Sequence, residues 1–310
     1  MGEWSKSVGE QGEKIVEYLF ENVLGYKTIR QNLTINCNNG EKHKVKESPK
    51  TTHGIDGLIT VNSTLEDKVL DVGVISVKFT SNEYPSAPKG DFKKHLMDLI
   101  YTLECFETSK LSSEVNKNFS NITKTDITGI LVWASNESDL DSEIVSKVSN
   151  LSLGSEYHFN RIVVLDNSKI SFFVNLIENV KNKYGEKNVS FIYHNSGLNS
   201  IGLQSKSYGE FLPIQYLFSD IIPMRIEADN KVDFLIGIRD NFKYEDFLRI
   251  LSFIKSFDHL DSSNNVIVSF PDYNETKNSE EVKKALSFFG NDSFKSNLIV
   301  TKHTLDFKNR

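Results

Sequence analysis

Residues 74–80, VISVKFT, set a lysine inside an otherwise apolar strand, and that lysine constrains what the chain can build around it. The density of Val and Ile reads as a strand. Period two puts Val74, Ser76 and Lys78 on one face and Gly73, Ile75 and Val77 on the other. A buried ammonium with no partner costs several kcal/mol or gives up its proton, so Lys78 requires an anion in front of it.

The neighbouring periodicities place this strand in a layered fold. Over Glu10–Leu24 the residues Ile15, Val16, Leu19, Phe20 and Val23 recur at helical spacing, and Gly25 is a natural stop. Extended segments follow at about Tyr26–Ile35, Gly54–Val61 and Val69–Thr80. A second helix is predicted over Asp91–Phe106, with Leu96, Leu99, Ile100 and Leu103 on one stripe behind Pro85 and Pro88. Ile127–Ser135 is the short apolar run expected of a strand buried on both faces. The order is helix, three strands, helix, strand, in the α/β class.

Farther along, Asp139–Leu151 reads as helical, Arg161–Asp166 as extended, Ile170–Lys183 as helical and Val189–His194 as extended. That alternation predicts further parallel strands on the same sheet. The polar, Gly/Ser-rich stretch Asn195–Gly209 offers a boundary near Leu203. The expected domains are therefore 1–200 and a smaller C-terminal α+β domain over 204–310. In the latter, Lys231–Ile238 and Asn265–Phe270 read as strands, and Tyr244–Phe257 and Glu280–Phe289 as helices. Its aromatic segments, Glu210–Phe218 and Tyr244–Phe257, suit either ordinary core or a surface for a homo-oligomer or heteromer.

Composition narrows the class. With 21 Phe and 11 Tyr in 310 residues the chain has apolar surface enough to fold, which excludes a disordered polymer. The N-terminus has no apolar run of signal-peptide type and every later apolar segment is broken by charge short of a membrane span, so a cytoplasmic protein with no membrane partner is expected. The net charge of -6 argues against a nonspecific nucleic-acid coat, while leaving room for a local basic surface. Cys37 and Cys105 stand far apart without partners at metal-ligand spacing, so neither a disulfide framework nor a zinc site is expected. His53 and His194 are assigned no metal role for the same reason.

Three polar pieces stand out against this scaffold: GEQGEK with Glu13 on the first helix, HGIDG with Asp56 at the start of a strand, and VISVKFT with Lys78. Phosphodiester hydrolysis has use for all three, since acidic residues hold a metal that activates water and a lysine stabilises charge developing on phosphoryl oxygens. Each also has a plain structural reading. Glu13 suits an exposed helix face, Asp56 a Gly-flanked turn, Lys78 a strand end to which its ammonium can snorkel, and Ser76 a half-buried face.

Taken together and in this order, the pieces resemble the PD-(D/E)XK, or restriction-endonuclease-like, nuclease superfamily. The resemblance implies an αβββαβ core, here with extra α/β units. It also implies Mg2+ or Mn2+ as cofactor, Asp56 as main metal ligand, Glu13 as a metal-positioning carboxylate and Lys78 as transition-state stabiliser. One position departs: the second carboxylate of the family tripeptide is replaced by Ser76, and serine offers only a neutral oxygen. Either the following helix supplies the missing carboxylate, with Asp91 and Asp98 as candidates, or the domain binds without cutting. Asp91 after Gly90 is also a natural helix N-cap.

The closer likeness is to the nuclease subunit of a Gaps-type two-gene antiphage defence system. That implies a nucleic-acid substrate, phage DNA or host RNA such as tRNA, and a second protein subunit encoded in the same operon. Lys42, Lys44 and Lys46 ahead of Asp56, with His43 and Lys50, and Lys93 and Lys94 at the start of the second helix are candidate phosphate contacts; solvated surface is their plain alternative.

Overall fold

The computed structural model describes residues 3–27, 29–44, 47–200, 207–255, 263–288 and 292–304. Two units divide the chain, Met1–Ser171 and Phe172–Arg310.

The first unit begins with α1 (Glu3–Glu17), which widens into a π-helical turn over Tyr18–Val23. There Leu24 N–H bonds to Leu19 O at 2.9 Å, and Leu19, Phe20 and Val23 are buried. Gly25 stops the helix at φ 82°, a left-handed conformation that costs glycine little. Then come β1 (Arg30–Asn36), β2 (Thr52–Asn62), β3 (Val69–Thr80), α2 (Lys89–Glu107), α3 (Lys110–Lys117) and β4 (Lys124–Ser135). The single turn α4 (Val145–Val148) and β5 (Arg161–Leu165) complete it. The predicted order of helix, three strands, helix and strand is observed, with α3 added before β4.

These strands form one sheet in the order β1-β2-β3-β4-β5. The pairs β1–β2 and β2–β3 are antiparallel, whereas β3–β4 and β4–β5 are parallel. Parallel β3 and β4 need a crossover, and α2 and α3 provide it. Leu70, Val72 and Val74 of β3 share a core with Leu96, Leu99, Ile100 and Leu103 of α2, so α2 covers the face that ends in Ser76 and Lys78. Its close approach depends on Gly129 of β4, where a Cβ would lie 2.8 Å from Leu103 Cδ1. Helix α1 lies against the other side of β3: a Cβ on Gly12 would stand 3.0 Å from Phe79 Cβ and 3.1 Å from Val77 Cγ1.

The helix expected over Asp139–Leu151 shrinks to the one turn of α4. Ahead of it the Asp166 carboxylate takes the Ile144 and Val145 N–H groups at 2.7 and 3.4 Å, so the chain is held by a side-chain cap instead of a helical ladder.

In the second unit, α5 (Asn167–Tyr184), which starts in the last residues of the first, is followed by β6 (Val189–Ile192), β7 (Tyr208–Gly209), β8 (Ile221–Ala228) and β9 (Lys231–Ile238). Next are α6 (Tyr244–Ile254), β10 (Asn265–Phe270), α7 (Glu275–Ser287), α8 (Asp292–Asn297) and β11 (Leu298–Lys302). The sheet order is β11-β10-β9-β8-β6-β7. Val189–Ile192 thus corrects the expectation of one continuous parallel sheet: it pairs antiparallel with β8 in the second sheet. An apolar run of four residues carries no information about which edge it will join. The division between units accordingly falls ahead of the break expected near Leu203, a residue outside those described.

Strands β8 and β9 form a hairpin closed by Ala228↔Lys231, and the two loop residues Asp229 and Asn230 have φ of 51° and 61°. Positive φ at both positions is the turn geometry that matches strand twist, and Asp and Asn tolerate it. Phe247, Ile250, Leu251 and Ile254 of α6 and Leu212, Ile214, Tyr216 and Leu217 ahead of β8 are buried, so both aromatic segments are mainly core. No described helix is long and apolar enough to cross a membrane.

One buried base in this unit has a measurable consequence. His303 is 2% exposed, with Nδ1 3.2 Å from Ser269 Oγ, and burial pushes its pKa down to about 4. A base depressed in the folded state is protonated first in the unfolded chain, so stability falls as pH drops from the ordinary histidine value toward 4. About 3 kcal/mol is expected to be lost across that window. Urea midpoints of wild type and His303→Gln between those pH values check it: the variant should lose less stability than the wild type.

Candidate functional site

The β2–β3 ladder ends at Gly57↔Ile75. Just beyond, the Asp56 carboxylate takes the Val77 N–H through Oδ2 at 2.6 Å, a donor that a continuing ladder would have given to a carbonyl. On the far side of β2, Asn32 of β1 sits at φ 54° and leaves a kink beside Asp56. His53 and Ile55 on one side of Asp56 and Leu58 on the other all reach the layer under α2.

Lys78 finds its anion on α2. Its Nζ lies 3.2 Å from Asp98 Oδ2, and Lys50 Nζ lies 2.7 Å from Asp98 Oδ1. Glu13 accepts a long hydrogen bond from Asn32 Nδ2 at 3.5 Å. These groups feel one another. Burial holds the Asp56 pKa above the usual carboxylate range; the Val77 N–H and Lys78 oppose this, while Asp98 and Glu13 push in the same direction as burial. Asp98 goes the other way: burial acts to raise it, but Lys50 and Lys78 outweigh that and hold it below its ordinary value. The site is a carboxylate raised chiefly by burial, Asp56, beside one held down by two lysines, Asp98, with Glu13 near enough to act on the first.

The remaining predicted residues divide. Ser76 is buried on the α2 side of β3, two residues ahead of Lys78. Asp91 is exposed in the first turn of α2, and Pro88, not Asp91, occupies the N-cap position. It does not figure among the groups acting on Asp56, whereas Asp98 and Glu13 do. Lys93 and Lys94 are exposed on the same turn and the next. Lys42 is engaged internally, at 2.8 and 2.9 Å from the two Glu104 oxygens, and Lys44 pairs with Glu41 at 2.5 Å. Lys46 lies outside the described residues.

One sequence expectation is overturned. Cys37 and Cys105 were expected to have no partners at ligand distance, and His53 no ligand neighbour, yet Cys37, His43, His53 and Cys105 converge with one ligand atom of each within 4.8 Å of the others. Spacing rules detect ligand pairs a few residues apart. Here the four come from the end of β1, the following loop, the start of β2 and the end of α2, and only the fold brings them together. A separate cavity of about 480 Å3, lined by Lys124, Asp126, Tyr157 and Asn160, sits at the opposite end of β4 from Trp133, the partner of Lys78.

An αβββαβ layer with Asp56 where the strands part, a lysine two residues after Ser76, and an acid on α1 defines a PD-(D/E)XK nuclease domain. Residues 1–169 match the model of the GAPS4 protein PD-(D/E)XK nuclease domain, and the chain belongs to that family. No curated protein and no solved structure matches it.

Nucleases of this superfamily typically use divalent metals. The donor set here fits one: Asp56, Asp98 and Glu13 offer hard anionic oxygens, and burial, with a smaller push from Asp98 and Glu13, raises the Asp56 pKa, a cost of its negative charge that a dication would relieve.

Proposed function

We propose that the first unit is a Mg2+- or Mn2+-dependent nuclease that hydrolyses phosphodiester bonds of DNA or RNA as the effector of an antiphage defence system, working with a second subunit encoded beside it. The observation that carries this reading is the convergence of Asp98 with Asp56 and Lys78, which supplies from α2 the carboxylate that position 76 lacks.

Asp56, with Asp98 and Glu13, would hold the cation, which when bound polarises a phosphoryl oxygen and acidifies a water. Lys78 sits beside Asp56 and meets the charge that builds on the phosphoryl oxygens as the bond breaks. The Val77 N–H fixes one Asp56 oxygen and so orients the other. Lys50 anchors the second Asp98 oxygen and holds that carboxylate against the strand end. Exposed Lys93 and Lys94 at the start of α2 are suited to contact the phosphate backbone. Lys42 and Lys44 serve that role less well, because both are already paired.

The test incubates wild type and Asp56→Ala with plasmid DNA, linear DNA and total tRNA, with Mg2+ supplied or withheld and with the neighbouring gene product present or absent. Cleavage by the wild type that needs the cation and disappears in Asp56→Ala is the expected result, and the substrate cut names the target. Cleavage that survives in Asp56→Ala contradicts the assignment. Binding without any cleavage moves the domain to a noncatalytic nucleic-acid or partner-binding subunit.

A further inference from the structure

We propose that Cys37, His43, His53 and Cys105 form a closed tetrahedral Zn2+ site that clamps the β1–β2 loop and the start of β2 onto α2, separate from the carboxylate site. The geometry alone argues for a single cation. Cys37 Sγ lies 3.3 Å from His43 Nδ1 and 3.9 Å from Cys105 Sγ, Cys105 Sγ lies 3.5 Å from His43 Nδ1, and His43 Nδ1 lies 3.4 Å from His53 Nε2. With Zn–S near 2.3 Å and Zn–N near 2.0–2.1 Å, tetrahedral angles demand about 3.8 Å between sulfurs, ~3.4 Å between nitrogens and ~3.5 Å between the two kinds. Those four separations already match, and the two from His53 to the sulfurs lie within 4.8 Å, a short side-chain adjustment from the same geometry. They are too close together for a cluster of several metal ions.

The surroundings are those of a structural metal. His43, His53 and Cys105 are 0%, 1% and 0% exposed and Cys37 is half-buried, and four protein ligands leave no coordination position open for a substrate. Each histidine has its remaining nitrogen directed at an oxygen: His43 Nε2 is 2.9 Å from Glu104 Oε2, and His53 Nδ1 is 3.5 Å from Thr102 Oγ1. Such partners fix which nitrogen faces the metal and strengthen it as a ligand. Asn38 N–H points at Cys105 Sγ from 3.3 Å, a donor suited to a thiolate. Tyr101 stacks on His43 at 4.3 Å between centroids and closes that side. Binding displaces the two thiol protons to solvent, and two thiolates neutralise the dication, so the centre as a whole carries no net charge into the interior. A disulfide would need the sulfurs to approach to about 2.05 Å and would leave the two buried imidazole nitrogens facing each other without a cation.

The clamp bears on the carboxylate site through the backbone. His53 lies three residues before Asp56, and Cys105 lies two helical turns after Asp98. One ion thus ties together the strand and the helix that carry the two acids.

The test purifies the full chain without chelator, measures metal content, and exchanges cobalt for the bound ion. One zinc per chain, with a cobalt spectrum showing tetrahedral ligand-field bands and thiolate-to-metal charge transfer, is expected. Titrating both thiols of the wild type with a mercurial should release that zinc in step. Glu104→Gln, which leaves all four ligands in place, should weaken zinc binding by about 10–100-fold, and Cys37→Ser should weaken it further. A protein that folds with no zinc and two titratable thiols, one that carries a Cys37–Cys105 disulfide, or a cobalt spectrum without thiolate charge transfer overturns the proposal.

Discussion

Lys78→Met is expected to leave the protein folded and to slow phosphodiester cleavage by about 100-fold or more. The methionine keeps an unbranched side chain of similar length and removes the ammonium. In the free protein that ammonium pairs with Asp98 at 3.2 Å and acts on the ionisation of Asp56. With substrate bound, its counter-charge becomes the phosphoryl oxygens, whose negative charge grows toward the transition state. The loss should therefore fall on kcat more than on KM, and nucleic-acid affinity should change little. Single-turnover cleavage, beside a binding titration under conditions that prevent cutting, separates the two. An equal loss in binding would make Lys78 a backbone contact instead.

Asp98→Asn is expected to reduce cleavage on the order of 100-fold as well, for a different reason. Asparagine preserves the shape of the side chain but withdraws the one charge that Lys50 and Lys78 share. Both lysines then lose their fixed position, and the cation loses an anionic donor. A second readout accompanies the first. Asp98 is held below the ordinary carboxylate value, so its pairs contribute stability that is present above that value and is lost as pH falls through the depressed one. The variant lacks this contribution; because the carboxylate is 44% exposed, the difference in urea midpoint should be small beside the loss of activity. A variant that cuts normally would assign Asp98 to structure alone.

The elements that carry the chemistry were legible because each was written in local periodicity. Residues 74–80 read as a strand with one misplaced charge, and Asp91–Phe106 repeats as a helix, so the lysine and the order of the elements around it could be read directly. The choice between Asp91 and Asp98 could not. They stand seven residues apart, two turns along one stripe of α2, and only the register of that helix along β3 puts Asp98, not Asp91, level with Lys78. The basic loop was ambiguous in a related way: Lys42 and Lys50 pair with Glu104 and Asp98, which composition does not reveal.

The Cys and His cluster was missed because its members are separated by unequal lengths of chain and meet only when the end of α2 closes over β2. The β8–β9 hairpin did carry a signal, Asp229-Asn230 between two apolar runs, in a two-residue turn that needs both residues at positive φ. Strand β6 carried none, since its partners are chosen by the strands that follow it.

The claim that α2 carries the carboxylate missing from position 76 is tested most directly by adding Ser76→Glu to Asp98→Asn and measuring metal-dependent cleavage by the folded proteins. An acid restored on the strand two residues before Lys78 should recover a measurable part of the activity that Asp98→Asn removes. A double variant as inactive as Asp98→Asn, or an Asp98→Asn protein that cuts at the wild-type rate, would contradict it.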